Sequence, residues 1–219
     1  MKNRGSEATE RIVGLLLAAG ASRRMGRLKQ LLPFGQETVL EASLRRYREA
    51  EIRPVVVVLG YEAERIRRTL GPALEGADLR VVINREHEQG MLRSVQVGIA
   101  EVARMHAHGV VLGLVDQPFV PAEVFRQVRD ALREGKAGVV LPRWGGRRGH
   151  PIGLRAELFG EVLQLNSRAV GLNAWIRAHP ERVWELPVAT DAVLQDMDLP
   201  EEYQEALRRW IATAPKESE

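Results

Sequence analysis

The chain has 219 residues, of which 45% are hydrophobic and 28% charged, and its formal net charge at pH 7 is +3. This balance is typical of a globular domain and excludes collagenous, low-complexity and fully disordered chains. The small basic excess and the 5% aromatic content do not predict a nucleic-acid partner, and the absence of cysteine excludes disulfides, thiol catalysis and thiolate metal sites.

No apolar stretch approaches the roughly 20 residues of a membrane span, and the mixed polar start lacks the apolar segment of a signal peptide. We therefore expect a cytoplasmic protein with no membrane partner and no nucleic-acid partner. At this length a single domain is expected. The predicted organisation is a flexible lead at residues 1–10, one domain at residues 11–213 and a flexible tail at residues 214–219.

Short apolar runs alternate with amphipathic segments along the chain. Strands are predicted at residues 12–17, 54–59, 79–84, 109–115, 137–141, 151–154 and 182–186. Helices are predicted at residues 37–49, 61–70 and 91–106, from Pro121 onwards, and at residues 157–165, 172–178 and 200–212. This alternation predicts an α/β fold, a single-domain three-layer α/β/α sandwich with a mainly parallel, Rossmann-like sheet. Ligands of such sheets bind beyond the carboxyl ends of the strands.

The loop after the first strand, residues 17–29, combines small residues with cationic side chains. Small residues let the backbone approach a ligand, and backbone N–H groups there bind phosphate oxygens. Arg24 and Lys29 add positive charge within the same turn, which suits a triphosphate; the alternative is a solvated basic loop. The spacing excludes a Walker loop and, because Ser22 stands at the middle glycine position, a dinucleotide fingerprint.

Four other polar residues stand after a predicted strand or near a helix start. Asp116 ends the fourth strand, where a carboxylate either forms a turn or holds a hard cation bound to phosphates. Ser94 lies in the first turn of a predicted helix, where serine is usually a capping residue. Asp196 and Asp198 precede the last helix, where acidic residues are ordinary capping chemistry.

Residues 144–149 contain three glycines among arginines and are expected to form a mobile loop. Arg147 and Arg148, with Arg143 just before them, carry guanidinium groups that suit the phosphate of an acceptor substrate. His150 follows directly. It is either a loop histidine without a partner or part of the same acceptor site.

The first loop resembles a known signature. Residues 17–29 match the Leu-Ala-Ala-Gly-x-Ser-x-Arg-Met-Gly-x-x-Lys pattern of nucleotidyltransferases, and together with residues 30–35 they are more closely similar to the molybdenum cofactor cytidylyltransferases. That family is part of the nucleotide-diphospho-sugar transferase superfamily. Its Gly-Met-x-x-Ser, Asp-Gln-Pro, Gly-His-Pro and Asp-x-Asp-x-Pro segments have counterparts at residues 90–94, 116–118, 149–151 and 196–200.

The resemblance implies a role for each matched residue. Arg24 and Lys29 would contact phosphates during transfer, Asp116 and Asp198 would hold Mg²⁺, and Asp196 is the weaker candidate for the second metal ligand. The implied nucleotide-binding residues are Leu17, Ala18, Ala19, Gly20, Arg24, Lys29, Ser94 and Asp116. The implied acceptor-binding residues are Arg147, Arg148 and His150. Departures from the family pattern are Val115 for glycine, Leu199 for threonine, Glu202 for aspartate, and Asn173 in place of an arginine.

The resemblance implies a nucleotidyltransferase that moves CMP from CTP to the phosphate of molybdopterin, releases pyrophosphate and uses Mg²⁺ as its cofactor. The expected partners are a nucleoside triphosphate, with CTP favoured, and a molybdopterin-type acceptor; a recipient molybdoenzyme or its chaperone is a further candidate. Three alternatives stay open. They are transfer from GTP, transfer to a sugar or polyol phosphate, and a non-catalytic carrier of the cofactor.

Overall fold

The computed structural model describes residues 10–166 and 171–213. The predicted tail and all but the last residue of the predicted lead lie outside the described residues. In the described part of the chain, no helix has the length and apolar character needed to cross a membrane.

The main sheet has eight strands, and two further strands form a small antiparallel pair. The strands are β1 Ile12–Ala18, β2 Pro33–Phe34, β3 Glu37–Thr38, β4 Val55–Leu59, β5 Leu79–Ile83, β6 Gly109–Leu114, β7 Val139–Trp144, β8 Arg147–Arg148, β9 Ile152–Arg155 and β10 Val183–Pro187. The order across the main sheet is β10-β7-β9-β6-β1-β4-β5, with β8 pairing to β7. Among the described strands, only β8 and β9 pair antiparallel to their neighbours in the main sheet, so the predicted mainly parallel sheet is confirmed.

Helices cover both faces of the sheet. They are α1 Val39–Glu49, α2 Ala63–Leu70, α3 Met91–Arg104, α4 Ala122–Arg133, α5 Phe159–Gln164, α6 Leu172–Ala178 and α7 Pro200–Thr213. Apolar residues of α1, α2, α4 and α7 pack in one core layer, and those of α3, α5 and α6 pack in the other. The three-layer α/β/α prediction is therefore confirmed, because each helix row buries its apolar stripe against one side of the sheet.

Strand β1 is buried along its whole length and lies between β6 and β4 in the sheet. Leu16 and Ala18 face the layer of α1 and α4, whereas Leu17 and Ala19 face the layer of α3. Parallel pairing sets Ala18 beside Leu59 of β4 and Leu17 beside Leu114 of β6. The loops that follow these three strands therefore meet at one edge of the sheet.

The expectation of a mobile loop at residues 144–149 is wrong. Strand β7 continues to Trp144 and pairs antiparallel with β8, which makes a hairpin. Gly145 and Gly146 form its two-residue turn with φ angles of 54° and 82°, a left-handed conformation that glycine adopts without strain. The two glycines thus form the tight turn that lets β7 and β8 pair.

Candidate active site

A cavity of about 290 Å³ opens where the chain leaves β1 and β6. The loop after β1, the first turn of α3 and the end of β6 contribute most of its lining. The lining residues are Leu17, Ala19, Gly20, Ser22, Arg23, Arg24, Lys29, Gln30, His87, Gly90, Met91, Ser94, Leu114, Val115, Asp116 and Asp198. Segments that are far apart in the sequence and carry the candidate residues are thus adjacent in the fold.

The loop after β1 is held by hydrogen bonds that residues at its far end donate to residues at its near end. Gln30 is 1% exposed, and its Nε2 donates hydrogen bonds to the carbonyl oxygens of Ala18 (2.7 Å) and Gly20 (3.2 Å). The backbone N–H of Lys29 donates to Ser22 Oγ at 3.2 Å. Because these bonds tie the two ends of the loop together, the loop keeps a defined shape around the cavity.

The predicted run of nucleotide-binding residues divides between the two faces of β1. Leu17, Ala19 and Gly20 line the cavity, whereas the side chain of Ala18 packs in the opposite core layer. Side chains alternate between the faces of a strand, so a continuous run cannot present all its side chains to one ligand. Any contribution of Ala18 to binding is therefore limited to its backbone.

Two cations and two carboxylates form an ion cluster at the cavity. The Nζ atom of Lys29 lies 3.4 Å from Asp116 Oδ2 and pairs with Asp198 Oδ1. Arg24 pairs with Asp198 Oδ2. The Lys29 side chain is 8% exposed and that of Arg24 is 68% exposed. The lysine is therefore fixed inside the cluster, while the arginine can move to meet a ligand.

Two hydrogen bonds bring the segment before α7 to the end of β6, and a third caps the start of α7. The backbone N–H of Met197 donates to the carbonyl oxygen of Asp116 (3.1 Å), and Gln117 Nε2 donates to Asp196 Oδ1 (2.7 Å). The backbone N–H of Asp198 donates to Glu202 Oε2 (2.7 Å), as in a helix cap. Asp196 is thereby tied to Gln117, and Asp198 is the carboxylate that faces Lys29.

The pKa values of the two carboxylates are shifted in opposite directions. Burial raises the pKa of Asp116, and the charges of Asp196 and Asp198 add to this effect, while Lys29 partly opposes it. Desolvation also acts to raise the pKa of Asp198, but Lys29 and Arg24 outweigh it, so this pKa lies below its ordinary value. An additional positive charge near Asp116 would favour its ionised form.

The donor set at this point suits a hard divalent cation. Asp116 Oδ1 is buried and has no hydrogen-bond partner among the described residues. Within residues 10–166 and 171–213, no group of three or more histidine or carboxylate side chains has the arrangement of a complete metal site. Two carboxylates without further protein ligands are what Mg²⁺ uses when substrate phosphates and water complete its shell.

Three buried polar residues that support the site had no role in the sequence-based prediction. They are Gln30, Asn84 and Gln117, all nearly fully buried. Gln30 and Gln117 directly follow Lys29 and Asp116, so adjacency to a candidate ligand was an available signal. Asn84 Nδ2 donates to Ser94 Oγ at 3.0 Å, a contact between two separate elements that no local pattern indicates.

The predicted acceptor-binding residues lie outside the lining of the cavity. Arg148 Nε and Arg143 Nε contact the two carboxylate oxygens of Glu185 on β10 at 2.7 and 2.9 Å. Burial lowers the pKa of His150 to about 4, although the charge of Asp196 opposes this shift. His150 is therefore neutral at pH 7 and supplies no positive charge to an anionic acceptor.

Replacing Gly20 with valine is expected to weaken nucleotide binding about tenfold or more with little change in stability. A Cβ atom at Gly20 meets no atom within 4 Å, so the added side chain would occupy the cavity itself. Gly14→Ala is the matched control, because its Cβ would lie 2.6 Å from the Tyr47 ring inside the core. That variant should lose about 1–3 kcal/mol of stability and keep its affinity for nucleotides.

Isothermal titration calorimetry with nucleoside triphosphates and thermal melting separate the two effects. A Gly20→Val protein that binds nucleotides as tightly as the wild type would show that the cavity is not the binding site.

A small-residue loop at the end of β1, cations beside it, one carboxylate after β6 and a second before α7 together define a nucleotidyltransferase of the α/β class. The chain belongs to the MobA-like NTP transferase domain family, whose model matches residues 14–183.

Individual proteins that are similar to this chain carry names of different activities. The chain is 24% identical to the molybdenum cofactor cytidylyltransferase of Escherichia coli (strain K12) over 90% of this chain and 95% of that protein. It is 29% identical to the nicotine blue oxidoreductase of Paenarthrobacter nicotinovorans over 87% and 94%. The structure of Rv0371C from Mycobacterium tuberculosis H37Rv in complex with manganese has a TM-score of 0.72 and 30% identity, over 90% of this chain and 98% of that chain.

Proposed function

We propose that the protein is an Mg²⁺-dependent cytidylyltransferase that transfers CMP from CTP to the phosphate of a molybdopterin-type acceptor and releases pyrophosphate. The observation that carries the proposal is the convergence of Lys29 and Arg24 with Asp116 and Asp198 at one cavity. Similarity to the molybdenum cofactor cytidylyltransferase supports the choice of CTP and of the acceptor. The manganese complex of Rv0371C supports a divalent cation.

The reaction needs positioning and charge compensation, and it needs no covalent intermediate. A phosphate oxygen of the acceptor forms a bond to the α-phosphorus, and the bond from that phosphorus to the bridging oxygen of the pyrophosphate breaks. The acceptor phosphate is already an anion, so no general base is required. Lys29 and Arg24 would neutralise the negative charge that grows on the departing pyrophosphate. The loop from Gly20 onwards would hold the triphosphate through its backbone N–H groups.

Asp116 and Asp198 would hold the Mg²⁺ ion, which when bound supplies positive charge across the phosphates. Asp116 Oδ2 and Asp198 Oδ1 both contact the ammonium group of Lys29, so one oxygen of each carboxylate is already arranged around a cation. The pairing also keeps the two negative charges compatible within a confined site.

Pyrophosphate release tests the proposal directly, and one relative that is named an oxidoreductase makes the test necessary. We expect release from CTP that depends on both Mg²⁺ and molybdopterin, with lower rates for GTP, ATP and UTP. A preference for GTP would replace the cytidylyl assignment with a guanylyl one. Nucleotide binding without pyrophosphate from any combination of triphosphate and acceptor would contradict the transfer reaction and favour a carrier.

A further inference from the structure

Asn84 and Ser94 form a buried polar pair at the α3 side of the cavity. Asn84 follows β5 and is 1% exposed, and Ser94 lies in the first turns of α3 and is 5% exposed. The Nδ2 atom of Asn84 lies 3.0 Å from Ser94 Oγ. Ser94 lines the cavity, so the pair connects an interior amide to the binding space.

Backbone groups fix which end of the Asn84 amide faces the serine. The backbone N–H of Glu86 donates to Asn84 Oδ1 at 2.9 Å. A backbone N–H only donates, so the atom it meets is the amide oxygen, and the NH₂ group necessarily points at Ser94. The backbone N–H of Asn84 in turn donates to the carbonyl oxygen of Leu59 at 2.7 Å, which holds the residue in place.

This orientation determines what Ser94 offers to a ligand. Its oxygen already accepts the hydrogen bond from Asn84, and its hydroxyl hydrogen makes no bond within the described part of the chain. Ser43 on α1 differs, because its hydroxyl donates to the carbonyl oxygen of Val39, one turn earlier, at 2.8 Å. The Ser94 hydroxyl is therefore left as a donor at the wall of the cavity.

We propose that Asn84 is a positioning residue that makes Ser94 a hydrogen-bond donor to the base of the nucleotide. The ligand atom at this point is then an acceptor, either a carbonyl oxygen or an unprotonated ring nitrogen. The inference rests on the proposed function for its ligand, and cytosine offers two neighbouring acceptors of this kind, O2 and N3. Asn84 would thus contribute to base selection without contacting the substrate.

The Asn84→Asp variant reverses the polarity of the pair with little change of shape. The carboxylate would accept hydrogen bonds from both Glu86 and Ser94, which turns the hydroxyl hydrogen away from the ligand. We expect the dissociation constant for CTP with Mg²⁺ to rise about tenfold or more, since a buried acceptor would lose its donor. The dissociation constant for inorganic triphosphate with Mg²⁺ should stay within about twofold of the wild-type value, because this probe has no base.

A double-mutant cycle separates positioning from a general loss of structure. Ser94→Ala should weaken CTP binding to a similar degree, and Asn84→Asp combined with Ser94→Ala should weaken it no further, because both changes remove the same donor. If the aspartate variant melts too early for calorimetry, Asn84→Ala takes its place. It removes the bond that orients the Ser94 hydroxyl without reversing it, so we expect weaker CTP binding, by no more than in Ser94→Ala.

Three results would overturn the proposal. The first is wild-type CTP affinity in Asn84→Asp. The others are a loss of CTP affinity in the double variant that equals the product of the two single losses, or a loss of inorganic triphosphate affinity in Asn84→Asp as large as its loss of CTP affinity. All four nucleoside triphosphates are titrated against the wild type first. If another nucleotide binds more tightly than CTP, the cytidylyl proposal fails and the cycle is run with that nucleotide, so the two failures are distinct. A wild-type protein that binds no nucleoside triphosphate would overturn both proposals.

Discussion

Lys29→Met is expected to lower the rate of pyrophosphate release by about 100-fold or more while the protein stays folded. The lysine side chain is 8% exposed and contacts both carboxylates of the site, so no other side chain can take its place without rearrangement. Methionine keeps most of the buried volume and removes the charge. The loss should appear in kcat, because the charge of the departing pyrophosphate develops during the reaction.

Lys136→Met is the matched control for this variant. Lys136 is one of four lysines in the chain, its side chain is 48% exposed, and it pairs with Glu134 at 3.4 Å outside the cavity. It should retain the wild-type rate and melting temperature. A folded Lys29→Met protein that turns over as fast as this control would remove Lys29 from the catalytic machinery.

Asp116→Asn is expected to lower turnover by about 100-fold or more and to raise the Mg²⁺ concentration needed for half-maximal rate. The substitution keeps the size of the side chain and removes its negative charge. A hard cation such as Mg²⁺ prefers a negatively charged carboxylate ligand, so the variant should hold it less well. Metal titrations of the initial rate, at saturating CTP and acceptor, measure both effects in one experiment.

Asp78→Asn controls for the loss of one carboxylate elsewhere. Its side chain is 61% exposed and pairs with Arg53 at 3.3 Å on the surface. The rate and the Mg²⁺ dependence should match those of the wild type. An Asp116→Asn variant with unchanged Mg²⁺ dependence would mean that this carboxylate does not hold the metal.

Much of the fold could be predicted because burial leaves a clear pattern in parallel strands. Val55 to Val58 read as a continuous apolar run and make up most of the fully buried strand β4. The hairpin at residues 144–149 could not be predicted in the same way. Glycines next to arginines occur in solvated loops as well as in tight turns, and the pairing partner of a two-residue strand depends on the tertiary fold.

The candidate site was predictable where one segment carries its own chemistry. Gly20, Arg24 and Lys29 lie within ten residues of each other, and all three line the cavity. The resemblance favoured Asp198 over Asp196, but the physical reason could not be read from the sequence, because Gln117 binds Asp196 from a different element. The orientation of Asn84 likewise depends on a backbone N–H, and backbone geometry is not encoded in residue types alone.

A crystal structure with CTP and Mn²⁺, with the metal located by its anomalous scattering, tests the central claim most directly. We expect one anomalous peak. The metal at this position should lie about 2.1 Å from one carboxylate oxygen of Asp116 and from one carboxylate oxygen of Asp198, and phosphate oxygens should complete its coordination shell. Lys29 and Arg24 should then contact the phosphates. A peak bonded to neither aspartate, or a triphosphate bound away from the Gly20–Lys29 loop, would contradict the assignment of this cavity as the active site.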